Sequence, residues 1–230
     1  MTLGLMYYFG QSDNGIIVPV DQSEGVRLLG MAAKQNNVDA RWILGKHFYE
    51  CERNWFKSTF YLRGIVSDVH LPLQERNEAA FMLGMMLHQS PENETFDLTC
   101  ESGKGPRPPK SPHKAAEYFA IAAGIGSEEA KYQLALMYTS GDGVPQHFKR
   151  ATELLESIAW TYDRKNVQFK LAEVYLKRGD GLHALAWSGL AATYGNKEAK
   201  MRDSLNLALP AEDVEKAQQL GSEWLQNSQP

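Results

Sequence analysis

The most suggestive residues for chemistry in this chain are a histidine and a cysteine four positions apart. His47 and Cys51 share one face of a predicted helix, because residues four apart lie one turn apart. Together with Cys100 they would form part of a zinc site or a redox centre, but structural zinc usually takes four ligands and no second pair follows at matching spacing. We therefore interpret His47 as a helix-surface histidine and Cys51 as a half-buried thiol. A metal- or redox-dependent regulator that uses these three residues is kept as the alternative function.

The two cysteines are compatible with two chemical states. Cys51 and Cys100 fit either a reduced protein or one disulfide in an oxidising compartment, and the base rate for such pairs favours free thiols. The sequence leaves the compartment open: periplasmic if an export signal has been lost from the start of the chain, and cytoplasmic otherwise.

Signatures of catalysis are absent from the sequence. It contains no Gly-rich phosphate loop that ends in Lys-Ser/Thr, no Gly-x-Ser-x-Gly turn and no His-Glu-x-x-His helix. The paired carboxylates of Glu128 and Glu129 open a predicted helix, where acidic groups complement the helix dipole. We predict that the protein is not an enzyme and has no cofactor or metal.

The composition narrows the class of partner. The 230 residues include 24 basic and 28 acidic side chains, for a net charge of -4. This balance lacks the basic excess of nucleic-acid-binding proteins. With 43% hydrophobic residues the chain has enough apolar material for a core, yet no apolar run approaches the roughly 18 residues that span a bilayer. We expect a globular protein that neither binds nucleic acid nor inserts into a membrane.

A five-residue pattern recurs along the chain and predicts the first helix of a repeated pair. The pattern is a leucine, a small residue and, four positions after the leucine, an aromatic or apolar residue. It starts at Leu3, Leu44, Leu83, Leu134 and Leu171. The leucine and the last residue fall on one helical face, and the small residue lets another helix approach closely. We call this helix A and expect each of these leucines to be buried.

A second pattern predicts a helix B after each helix A. It consists of a small residue, an apolar residue three later and a pair of small or β-branched residues seven and eight later, as in Ala184, Trp187 and Ala191-Ala192. In three repeats, Asn36, Gly126 or Gly195 follows helix B, where a left-handed cap would turn the chain into the next helix. The glycines around Asp142, followed by Pro145, predict a turn between helices A and B.

These alternating patterns resemble the Sel-one-like repeat (SLR) family, a relative of the tetratricopeptide repeat. The resemblance spans residues 3–195, and the tail is similar to the closing helix pair of that family. It implies an all-α fold, a right-handed α/α superhelical solenoid of about five helix pairs with a C-terminal capping pair. We place the repeats at about 1–38, 39–77, 78–127, 128–165 and 166–197, and the cap at 198–227. Residues 89–112, polar and rich in proline, are expected to be a loop inserted in the third repeat.

The helix-A positions that the repeat does not need for its own packing predict the partner site. At 100° per residue, these positions lie opposite the core face and would align along the concave surface of a solenoid. The candidate residues for partner binding are Leu5, Phe9, Ile43, Lys46, Met82, Met85, Gln133, Leu136, Lys170 and Glu173, and the same stripe continues through Glu50, Gln89, Ser140 and Lys177. The stripe contains apolar residues in each of the first four repeats and is wholly charged in the fifth, and its methionines suit an adaptable contact surface.

The resemblance implies a non-catalytic scaffold for protein–protein interaction. Two roles remain open within it: an adaptor that assembles a bacterial envelope or signalling complex, and an immunity protein that inhibits a secreted toxin. We also expect the first repeat to lack a complete N-terminal cap, because its helix A starts one turn late and leaves Leu3 and Tyr7 without cover.

Overall fold

The computed structural model describes residues 2–10, 19–52, 54–88 and 110–227, except for the side chains of Thr2 and Asn196. Over these ranges the chain is all-helical, with twelve α-helices and no strand. The helices are α1 (Thr2–Phe9), α2 (Gln22–Lys34), α3 (Val38–Glu50), α4 (Trp55–Val66), α5 (Leu73–His88), α6 (Pro112–Ile125), α7 (Glu128–Ser140), α8 (Phe148–Glu156), α9 (Arg164–Lys177), α10 (Gly181–Ala191), α11 (Asn196–Ala208) and α12 (Ala211–Asn227).

The helices form two compact units. Unit 1 covers Met1–Ile125 and holds α1 to α6, and unit 2 covers Gly126–Pro230 and holds α7 to α12. From α1 to α6 and from α7 to α11, helices that follow one another in the chain pack against one another, as in an α/α solenoid, and α12 packs against α10. The pairs α1–α2, α3–α4, α5–α6, α7–α8 and α9–α10 correspond to the predicted A and B helices. The repeat boundaries and the handedness of the superhelix stay predictions.

The repeated leucines lie in the core from the second repeat onwards. Leu44, Leu83, Leu134 and Leu171 are between 0 and 6% exposed, as the pattern predicted. Leu3 is 55% exposed, so the expectation of burial is wrong for the first copy. α1 has only eight residues, and Leu3 lies in its first turn.

The small residues of helix A allow close contact with helix B. A Cβ atom at Gly45 would lie 2.8 Å from Cδ2 of Leu62, and one at Gly84 would lie 2.6 Å from the ring of Phe119. Both neighbours are fully buried. At both glycines even the methyl group of alanine would come too close to the side chain of helix B. This close approach is the physical reason for a small residue at the second position of the pattern.

Two of the three predicted left-handed caps occur. Asn36 has a φ of 62° and Gly126 a φ of 117°, whereas Gly195, with a φ of 175°, is extended and corrects the prediction. A short 3-10 turn over Ala192–Tyr194 ends α10 there instead. Gly141 and Gly143 both take a positive φ, in agreement with the turn predicted between helices A and B.

The proposed loop at 89–112 lies almost wholly outside the described residues. Of this range the structure describes Lys110 and Ser111, which are not helical, and Pro112, the first residue of α6. Proline suits this position because the first helical residues have no intrahelical partner for their N–H groups. The predicted loop therefore ends one residue earlier than expected.

Candidate functional site

The candidate partner-binding residues are divided between the two units. We call Leu5, Phe9, Ile43, Lys46, Met82 and Met85 the unit-1 face, and Gln133, Leu136, Lys170 and Glu173 the unit-2 face. All lie on the helix-A elements α1, α3, α5, α7 and α9. None is buried: Phe9 and Lys46 are exposed, and the remaining side chains have intermediate exposure. On α3, α5, α7 and α9 the repeated leucines are buried in the core, so the candidate residues of these helices are more exposed than their leucines.

The unit-1 face is mainly apolar. Leu5 and Ile43 pack partly against the core cluster formed by Leu29, Leu44 and their neighbours, which holds their side chains in place. Phe9 at the end of α1 is 61% exposed. Apolar side chains that are fixed at the base and open to solvent at the tip can contribute to binding without first losing much conformational freedom.

The unit-2 face carries an ion pair. The ammonium group of Lys170 contacts the carboxylate of Glu173 on the same helix, and both side chains are about one third exposed. Tyr132 of α7 lies close enough to Asp163 and Glu173 for their charges to add to the effect of burial, which raises its phenol pKa. The face therefore combines a neutralised ion pair with the polar Gln133 and the apolar Leu136.

His47 is the buried member of a chain of polar contacts that the sequence did not predict. Its side chain is only 6% exposed, so its interpretation as a surface histidine is wrong. The hydroxyl of Tyr8 and Nδ1 of His47 form a hydrogen bond of 2.8 Å, and Nε2 lies 3.4 Å from a carboxylate oxygen of Glu52. Lys57 contacts the same carboxylate at 3.5 Å. Tyr8 and His47 stand 39 residues apart, and no local pattern signals their contact.

The metal site considered for His47 and Cys51 is not found among the described residues. Cys51 is 6% exposed and disulfide-bonded, which corrects the expectation of a half-buried free thiol and leaves it no thiolate for a metal. Cys100 lies outside the described residues. Among the residues that the structure describes, no group of three or more His, Cys, Asp or Glu side chains is placed to hold a metal ion.

The pH dependence of stability should report on His47. Burial lowers its pKa, and the carboxylate of Glu52 offsets part of that effect. The unfolded chain therefore takes up this proton at a higher pH than the folded chain. Stability is fully present above the ordinary histidine pKa of about 6.5 and falls as the pH drops through that value towards the lower folded pKa. We expect thermal melts between pH 8 and pH 5 to depend less on pH in His47→Gln than in the wild type.

The matched control for this pH dependence is His113→Gln. His113 is 77% exposed and contacts Glu117 on the surface of α6, so its removal should leave the pH profile close to that of the wild type. Equal pH profiles for the wild type and His47→Gln would contradict the assignment.

Among the helices of the described residues, none is both long and apolar enough to cross a bilayer.

Comparison with known proteins supports the repeat assignment. The Sel1 repeat family model matches residues 3–37, 77–93, 100–127 and 128–159. The family model therefore matches almost none of the second and fifth predicted repeats. In these two repeats α3 packs against α4 and α9 packs against α10. No curated protein matches the chain.

Two solved structures are similar to this chain. One is a protective antigen present in uropathogenic Escherichia coli strains and displaying an SLR fold, with 21% sequence identity and a TM-score of 0.47 over 97% of this chain and 52% of the antigen. The other is a Sel1 repeat protein from Oxalobacter formigenes, with 21% identity and a TM-score of 0.47 over 75% of this chain and 59% of that protein. The chain thus spans little more than half the length of either. With the matched segments and the packed helix pairs, the resemblance noted in the sequence is confirmed: this is a Sel1 repeat protein.

Proposed function

We propose that the protein is a non-catalytic scaffold that binds a partner protein through the unit-1 and unit-2 faces. Sel1 repeat proteins are in general scaffolds for protein–protein interaction. The observation that carries the proposal is the exposure of Met82, Met85 and Leu136, which are only partly buried on helices whose leucines are fully or almost fully buried. Accessible apolar patches are typical of interaction surfaces.

The two faces suit different contacts. The unit-1 face offers Leu5, Phe9, Ile43 and two methionines, and methionine adapts its flexible, polarisable side chain to the shape of a partner. The unit-2 face adds the polar Gln133 and the Lys170–Glu173 ion pair. Because this pair is partly exposed, we expect it to contribute to orientation and specificity more than to affinity.

Substitution of one residue in each face tests the proposal. Met85→Asp or Leu136→Asp should abolish partner binding, because each places an unpaired charge in an apolar contact. The melting temperature should change little, since both side chains are only partly buried. Binding would be measured with a partner captured from the native organism, identified by mass spectrometry and then purified for titration.

Each variant has a matched control on a surface outside the faces. Met31 is 51% exposed on α2, and Leu207 is 90% exposed on α11. Met31→Asp and Leu207→Asp introduce the same charges and should retain binding. If Met85→Asp and Leu136→Asp unfold the protein, or if they bind the partner as the controls do, the proposed faces are wrong.

The identity of the captured partner separates the two roles within this function. As an immunity protein, the chain would suppress the activity of a toxin at one-to-one stoichiometry. As an adaptor, it would bind two components of an envelope or signalling complex at the same time. The disulfide at Cys51 favours an oxidising compartment for either role.

A further inference from the structure

Two tyrosine rings lie together beside the unit-2 face. Tyr132 of α7 and Tyr162 of the turn between α8 and α9 have ring centroids 6.0 Å apart, and their planes are inclined by 52°. Both rings pack partly against the core of unit 2, and both side chains remain partly exposed to solvent. The fold therefore holds the two rings in place and leaves part of their surface available for contact.

The tyrosine pair is continuous with the unit-2 face. Four residues at intervals of three or four lie along one side of α7, and they are Glu129, Tyr132, Gln133 and Leu136. Thr161, the neighbour of Tyr162, donates a hydrogen bond to the carboxylate of Glu128. This bond connects the turn after α8 to the start of α7. A partner segment bound along the unit-2 face would therefore also reach the two rings.

Carboxylates without a cationic partner accompany the rings. Glu129 accepts a hydrogen bond from the hydroxyl of Ser127, and Asp163 accepts one from the side-chain amide of Asn166. Both carboxylates are exposed, and neither pairs with a lysine or arginine in the described part of the chain. Burial raises the pKa of the Tyr162 phenol, and the charges of these two carboxylates raise it further. The surroundings of the rings are therefore negatively charged.

We propose that the tyrosine site, formed by Tyr132, Tyr162, Glu129 and Asp163, receives an arginine side chain of the partner protein. A guanidinium group is planar, always charged and able to stack on an aromatic face while its N–H groups donate to carboxylates. An apolar side chain would remove water from the carboxylates without replacing its hydrogen bonds, which is unfavourable. This inference rests on the proposed protein-binding function and names the chemistry of one contact at the unit-2 face.

Short peptides test the tyrosine site without the partner. The probe is a blocked tripeptide with arginine between two glycines, titrated into the protein at low ionic strength and followed by the NMR signals of the tyrosine rings. The same peptide with citrulline has nearly the same shape but no charge. We expect the arginine peptide to bind saturably and the citrulline peptide to bind roughly fivefold more weakly, as befits an exposed cation–π contact and a partly exposed ion pair.

Removal of the two carboxylate charges should weaken binding of the arginine peptide by a similar factor, roughly fivefold. The variant Glu129→Gln/Asp163→Asn should fold normally, because the new amide oxygens can still accept the hydrogen bonds of Ser127 and Asn166. Asparagine also tolerates the positive φ of position 163, which is 30°.

The matched control changes the net charge by the same amount at another surface of unit 2. Glu215 and Glu223 are both exposed on α12, so Glu215→Gln/Glu223→Gln should bind the arginine peptide as the wild type does. An equal loss in the two double variants would show that the peptide responds to the overall charge of the protein, and it would overturn the proposal.

The ring of Tyr162 can be tested separately. Tyr162→Phe keeps the aromatic face and should retain binding, whereas Tyr162→Leu should bind the arginine peptide roughly threefold more weakly. Circular dichroism would verify that both variants are folded, and the carboxylate variant decides the question if Tyr162→Leu does not fold.

Three further results would overturn the proposal: no saturable binding of the arginine peptide to the wild type, equal or tighter binding of the peptide with citrulline or leucine, or undiminished binding to folded Tyr162→Leu. Each of them would leave the proposed protein-binding function to be judged separately by the Met85→Asp and Leu136→Asp titrations.

Discussion

Replacement of Leu134 by alanine is expected to lower the free energy of unfolding by about 2 to 5 kcal/mol. Leu134 is 6% exposed on α7, and it is the repeated leucine of the fourth helix A. The substitution removes buried methyl groups and leaves a cavity that the neighbouring helices can fill only partly. Urea denaturation followed by tryptophan fluorescence would measure the loss, since Trp160, Trp187 and Trp224 all lie in unit 2.

The same substitution at an exposed leucine provides the control. Leu207 on α11 is 90% exposed, so Leu207→Ala should change the free energy of unfolding by less than about 0.5 kcal/mol. A loss below about 1 kcal/mol for Leu134→Ala would mean that the phase assigned to helix A is wrong.

Gly84→Ala is expected to destabilise the protein by about 1 to 3 kcal/mol, the range typical of an overpacked core. The added methyl group would lie 2.6 Å from Cδ1 and Cε1 of Phe119. Because this ring is fully buried and rigid, it can move away only if α5 and α6 separate. That cost should exceed the gain of about 1 kcal/mol that alanine brings to a helix interior. Chemical denaturation would give the sign as well as the size of the effect.

Replacement by alanine of a glycine that has no close neighbour should instead raise the free energy of unfolding. A Cβ atom at Gly64 of α4 meets no described atom within 4 Å, so Gly64→Ala should stabilise unit 1 by about 0.5 to 1 kcal/mol. If Gly84→Ala stabilised the protein to the same extent, the close approach of α5 and α6 at Phe119 would be refuted.

Much of the fold could be predicted from the spacing of small and large residues. Helices A and B follow from local periodicity, because every third or fourth residue of a helix returns to the same face. The prediction was wrong for Leu3, where the helix is short, and for Gly195, where a 3-10 turn replaces the left-handed cap. Both errors occur at helix ends, where packing decides the conformation more than local preference does.

The candidate site could be predicted only as a set of positions. Helical phase places Met85 and Leu136 opposite the core leucines, and both are partly exposed in the structure. Phase cannot give the degree of burial, because that depends on which neighbouring side chains reach the same space. Leu5 and Ile43, for example, also contact the core of unit 1.

The sequence by itself determined the class of the fold and the burial of the repeated leucines from the second repeat onwards, since both depend on intervals of three to eight residues. The repeat boundaries and the positions available for a partner stay predictions. Only the tertiary structure decided that His47 is buried beside Tyr8 and that Cys51 is disulfide-bonded. These features depend on contacts between residues far apart in the chain. Side-chain volume and the angle between packed helices govern such contacts, and local periodicity carries no information about either.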